Sequence, residues 1–168
     1  MPRNVEIKAR VRDLAGIEER ARTFATEGPV DLVQDDTFFA CANGRLKLRQ
    51  FADGHGELIH YLRADHVGPK ASDYLIAAIA APDALRETLL RAFGAVGRVR
   101  KARRLYMADR TRIHLDEVEA LGSFVELEVV LREDETVESG EAIARRIMAL
   151  LDIAESQLVQ GAYVDMKG

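Results

Sequence analysis

Apolar residues recur at every second position in three separate stretches of this chain. Asn4-Val5-Glu6-Ile7-Lys8-Ala9-Arg10 opens it with mixed charge, Arg45-Leu46-Lys47-Leu48-Arg49 is purely cationic, and Phe124-Val125-Glu126-Leu127-Glu128-Val129-Val130-Leu131 is purely anionic. Period-two alternation predicts β-strands with one polar and one apolar face. Further strands are expected at Asp35–Phe39, Glu57–Arg63 and Ser72–Ile79, with a tight turn at Ala42-Asn43-Gly44 before the basic strand. A hairpin is expected from Val96–Met107 and Thr111–Val118, turning at Asp109. Helical spacing replaces the alternation between Asp13 and about Thr26, where Leu14, Ile17, Ala21 and Phe24 share a face and Asp13 serves as cap. A second helix is predicted from Pro82 to a Gly94 cap, a third from Ser139 to about Leu151, and a short one in the tail Glu155–Tyr163.

Strands outnumber helices, and most connections are short enough for antiparallel neighbours. Like charges on one strand face repel unless opposite charge or a bound ion lies against them. Charged faces on so many strands fit a β-barrel with a polar lumen better than a packed sandwich. The expected fold is therefore α+β: an antiparallel β-barrel with flanking helices, formed as one domain over residues 1–168.

Composition narrows the picture. With 168 residues, 48% hydrophobic and 31% charged, the chain can bury a sizeable core and shows no sign of disorder. A net charge of −4 lacks the basic footprint of a general nucleic-acid binder. Cys41 is the only cysteine, which rules out a disulfide framework or a zinc cluster built on thiolates. No apolar run reaches the length of a membrane span, and the start Met1-Pro2-Arg3-Asn4 lacks a signal peptide's apolar core, so a cytoplasmic location without membrane contact is expected.

Two groups of residues carry candidate chemistry. Glu6, Asp116, Glu126 and Glu128 lie on strands, and carboxylates converging from neighbouring strands suit Mg²⁺ or Mn²⁺. Arg45, Lys47, Arg49, Arg63, Lys101, Arg103 and Arg112, with Lys8 beside Glu6, form the cationic group, and forked guanidinium groups grip phosphate oxygens. A cationic and an anionic strand in one sheet fit a polyanion held with a divalent metal. His114, between Arg112 and Asp116 on one face, is either a general acid or base or a hydrogen-bonded structural residue. An RNA-binding sheet is disfavoured because few aromatics lie among the basic residues.

These residues resemble a known family. Asn4-Val5-Glu6-Ile7-Lys8 is similar to the E-x-E-x-K signature of the CYTH family, which groups class IV adenylate cyclases with thiamine triphosphatases. Arg45–Arg49, Tyr61-Leu62-Arg63, Lys101-Ala102-Arg103-Arg104, the long stretch Ile113–Glu128 and the tail Ala162-Tyr163-Val164-Asp165 follow in the family's order. In detail the chain looks most like the class IV adenylate cyclase branch. The resemblance implies a triphosphate tunnel barrel in which Glu6, Asp116, Glu126 and Glu128 bind Mg²⁺ or Mn²⁺. Lys8, Arg45, Lys47, Arg49, Arg63, Lys101, Arg103 and Arg112 then bind a triphosphate, with Lys8, Glu6 and Glu128 as the catalytic candidates. Asn4 stands where the family usually has its first glutamate, which leaves one or two metal ions open. Arg63 stands where a lysine is common. The implied substrate is ATP, tripolyphosphate or thiamine triphosphate. Cyclisation, hydrolysis and a non-catalytic polyphosphate- or nucleotide-binding module all remain open, as does a homodimer.

Overall fold

The computed structural model describes residues 2–64 and 66–166. Eight strands close into an antiparallel barrel: β1 (Arg3–Arg10), β2 (Glu27–Phe39), β3 (Arg45–Phe51), β4 (Gly56–Arg63), β5 (Lys70–Ile79), β6 (Ala95–Ala108), β7 (Thr111–Val118) and β8 (Gly122–Val130). Around the barrel the order is β1-β5-β4-β3-β2-β6-β7-β8. The helices are α1 (Leu14–Arg22), α2 (Pro82–Phe93), α3 (Val137–Leu150) and α4 (Tyr163–Met166). No helix among the described residues is long and apolar enough to cross a membrane.

The barrel is inside out relative to an ordinary globular core. On β1, Val5, Ile7 and Ala9 point outward and are almost fully buried, while Asn4, Glu6 and Lys8 point into the lumen. The same parity sends Ile113 and Leu115 of β7, and Val125, Leu127 and Val129 of β8, to the outer face. There they meet Ile17 and Ala21 of α1 and Ala144, Ile147, Met148 and Leu151 of α3, so the main hydrophobic core lies between the barrel wall and these two helices. Gly140 lets α3 approach closely: a Cβ there would stand 2.7 Å from Val5 Cγ2 and 2.6 Å from Leu131 Cδ2. With its apolar side chains spent on the outside, the barrel leaves its interior to polar ones.

The expected caps form: the Asp13 carboxylate accepts from the Gly16 N–H at 3.0 Å, Gly94 ends α2, and Asp109 turns the β6–β7 hairpin at φ 52°. Three expectations are corrected. The strand expected at Asp35–Phe39 begins at Glu27, because its first half, which carries no clear alternation, pairs with β6 out to Glu27↔Met107. The third helix starts at Val137 rather than Ser139, since the Thr136 hydroxyl accepts from the Ser139 N–H and caps it. The tail Glu155–Tyr163 is not one helix: a single 3-10 turn (Glu155–Gln157) is followed by extended chain that bridges Leu158 to Ala9, and α4 begins only at Tyr163.

Candidate active site

The lumen is a cavity of about 460 Å³, the size of a small-molecule site. Lys47 and Arg49 reach it from β3, Lys101 and Arg103 from β6, Glu126 and Glu128 from β8, Glu6 and Lys8 from β1, Arg63 from β4, and Arg112 and His114 from β7. Register explains the convergence. Lys8 lies opposite Glu126, Glu6 opposite Glu128, Arg112 opposite Glu128 and His114 opposite Glu126, so these residues share the inner face.

The cationic wall is organised by one acid that the candidate list lacks. Asp36, 1% exposed on β2, accepts Arg49 Nε and Nη2 at 2.8 Å each and Lys47 Nζ at 3.1 Å, with Lys101 Nζ at 3.6 Å. Burial works to raise its pKa, but Arg49, Lys47 and Lys101 outweigh it and hold the carboxyl well below the usual range. Burial and neighbouring cations lower Lys101 well below 10.5, and burial followed by Arg49 lowers Lys47. The sequence held a signal for Asp36: a purely cationic strand needs opposite charge against it, and β2 pairs Asp36 directly with Arg49.

The anionic wall is less completely paired. Glu126 meets Lys8 at 3.4 Å and Arg103 at 3.3 Å, and these charges, with Lys101, overcome burial to keep it well below 4.5. Glu6 accepts from Arg63 at 2.9 Å, while Glu128 meets Arg112 only at 3.5 Å. Lys8 donates to the Gly161 carbonyl at 2.9 Å, sits 4.1 Å from the Tyr163 ring centre, and has its pKa lowered, chiefly by burial. Three polar atoms of lumen-lining residues are buried without hydrogen-bond partners: Asn4 Oδ1, Gln34 Oε1 and His114 Nδ1. One ring nitrogen of His114 thus lacks the partner that a fully hydrogen-bonded structural histidine would have. The ring carries a single proton near neutral pH, because burial and Arg103 bring its pKa to about 3.

Two candidates lie elsewhere. Asp116 is fully buried outside the cavity lining. Its carboxylate accepts both Arg103 nitrogens at 2.7 Å and the Tyr163 hydroxyl at 2.8 Å. Both of its oxygens are engaged by these two partners, an arrangement that also fixes the position of Arg103. Arg45 stands outside the lumen lining, in an adjoining pocket with Tyr61 and Arg63, and bonds Asp165. Tyr163 and Ala162 line this end of the tunnel, and α4 docks closely enough that a Cβ on Gly97 would stand 2.1 Å from Val164 Cγ2. At the other ends of the same strands the lining becomes apolar, with Leu32, Phe51, Ile76 and Leu105, and Phe51 stacked on His55.

Comparison with known proteins agrees with this architecture. The chain superposes on the PH1012 protein of Pyrococcus horikoshii OT3 with a TM-score of 0.86 at 21% identity, covering 98% of this chain and 99% of that one. A protein from Vibrio parahaemolyticus proposed to be an adenylate cyclase gives 0.73 at 16% identity, covering 97% and 96%. A Hippeastrum protein proposed as an adenylyl cyclase, with a dominant triphosphatase activity, gives 0.66 at 16% identity, covering 91% and 89%. At these identities the likeness speaks for the fold alone. No curated protein matches in sequence. The CYTH domain model matches residues 2–163, nearly the whole length, and the chain belongs to the CYTH family.

Proposed function

We propose that the tunnel binds the triphosphate of a small molecule together with a divalent metal ion, and that hydrolysis of the terminal phosphoryl group is the reaction its geometry supports best. The observation that carries this reading is the meeting of Lys47, Arg49, Lys101 and Arg103 with Glu126 and Glu128 in one cavity. Four cations lining one lumen bind phosphoryl oxygens bidentately or as point charges, and they meet charge that develops on those oxygens without reorganising. Arg63 and Arg112 extend the cationic lining, and Arg45 marks the end at which Tyr163 stands.

The donor set fits Mg²⁺ or Mn²⁺: Glu126 and Glu128 point into the lumen with Glu6 nearby, and the Asn4 amide oxygen is buried without a partner. When bound, the metal supplies charge neutralisation for the phosphoryl oxygens and the acidity of a coordinated water. Lys8, whose burial favours the neutral amine, takes up the proton of the attacking water, while Glu6 and Glu128 orient that water. The new P–O bond forms as the bond to the departing diphosphate breaks, and orthophosphate is released. Hydrolysis requires no recognition of base or ribose. The adenylate cyclase reading of the Vibrio parahaemolyticus neighbour calls on the same cavity, with the ribose hydroxyl as nucleophile and pyrophosphate leaving. A soluble cytoplasmic enzyme, acting on a small molecule rather than nucleic acid, completes the proposal.

Incubating the purified protein with tripolyphosphate, ATP and thiamine triphosphate under Mg²⁺ or Mn²⁺ tests it. The expected product is orthophosphate, lost in Glu126→Gln at unchanged circular dichroism. Cyclic AMP with pyrophosphate would replace hydrolysis by cyclisation. Tight binding without turnover would make the barrel a capture module, and neither binding nor turnover would remove the triphosphate altogether.

A further inference from the structure

We infer that His114 is a metal ligand in this barrel, and that with Glu126 and Glu128 it forms a mixed nitrogen–oxygen site favouring a borderline transition ion such as Co²⁺ or Zn²⁺ over Mg²⁺. One ligand atom from each of the three residues lies within 4.8 Å of the others. They come from adjacent strands in fixed register, His114 of β7 facing Glu126 of β8, so the grouping is set by backbone pairing rather than by flexible side chains. His114 is 4% exposed, and its Nδ1 is buried with no hydrogen-bond partner. Glu128 Oε1 is 3.7 Å from it, beyond hydrogen-bond range.

A buried ring nitrogen aimed at two carboxylates and bonded to nothing is a costly arrangement for a purely structural residue. Carboxylates alone suit Mg²⁺, Ca²⁺ and Mn²⁺, whereas imidazole shifts preference towards the later first-row ions. The inference deepens the metal-dependent reading above and rests on it only in assigning the ion a task. Metal binding itself needs no triphosphate.

The test uses the chelator-treated full-length protein without substrate. Calorimetry with CoCl₂, ZnCl₂, MnCl₂ and MgCl₂ is expected to show at least tenfold tighter binding of Co²⁺ and Zn²⁺ than of Mg²⁺. His114→Ala should weaken Co²⁺ at least tenfold and leave Mg²⁺ within threefold, and His114→Asp should move the preference back towards Mg²⁺. Pulsed electron paramagnetic resonance of the Mn²⁺-loaded wild type should show a directly bonded nitrogen, a measurement independent of whether either variant folds. Oxygen-only coordination, or equal losses for Co²⁺ and Mg²⁺ in His114→Ala, would overturn the inference while leaving the triphosphatase reading intact. Absence of turnover with a nitrogen-bound metal would do the reverse.

Discussion

The two walls of the tunnel hold their charge differently. On the β2–β3–β6 wall, three buried cations are gathered by Asp36, with hydrogen bonds of 2.8–3.1 Å to two of them. On the β1–β7–β8 wall, Glu128 has only a 3.5 Å contact to Arg112, and His114 Nδ1 has no partner. Asp36 ties the cations of the first wall together before any ligand arrives, which keeps them in fixed positions, while one carboxylate against three cations leaves the wall net positive. The second keeps donors in reserve. Buried charge is tolerated where it is paired, and unspent donors mark where a ligand adds most.

The sharpest way to break this contrast is Asp36→Asn. It strands Arg49, Lys47 and Lys101 together, and the expected loss is about 3–5 kcal/mol in urea unfolding, partly restored by added tripolyphosphate. Its pH dependence has a definite sign. Because the folded carboxyl lies below the unfolded value, Asp36 contributes fully above about pH 4 and loses that contribution as pH falls through its folded pKa. Wild type should therefore weaken in acid where Asp36→Asn shows a flatter profile. An equally steep acid limb in the variant would place the effect on other carboxylates.

Tyr163→Phe should cost about 1.5–3 kcal/mol, since it removes the hydroxyl donated to the buried Asp116 carboxylate. Chemical denaturation reads the loss, and an unchanged midpoint would show that Arg103 alone satisfies Asp116. Lys101→Met is expected to go the other way in the absence of ligand, gaining about 1 kcal/mol, because Asp36 keeps Lys47 and Arg49 while a desolvated charge disappears. The same variant should bind tripolyphosphate about tenfold more weakly by calorimetry. Lysine burial also has its own pH signature: with the folded pKa depressed, wild-type stability rises as pH climbs through the window below 10.5, and Lys101→Met should reduce that rise. The smallest effect is reserved for Glu87→Gln on α2, whose exposed pair with Arg91 should contribute no more than about 0.5 kcal/mol to the thermal midpoint. A loss comparable to that of Asp36→Asn would erase the distinction between lumen and surface pairs.

Much of this protein was legible along the chain. Period-two alternation located the strands of Glu6, Lys47 and Glu126 and set which side chains share a face, since parity along a strand is a local property. Like charges without neighbours required a ligand or an opposing charge, which pointed to a charged lumen. Other features depended on residues distant in sequence. Asp36 became the organiser of the cationic wall only through pairing of β2 with both β3 and β6. Asp116 was engaged by Arg103 and by Tyr163, a residue 47 positions further on. His114 looked like a proton carrier or a satisfied core residue until closure of the sheet buried its ring beside Glu126 and Glu128. Alternation fixes the direction of a side chain, whereas its protonation and its partners follow from desolvation and from charges that only the closed barrel brings within a few ångströms.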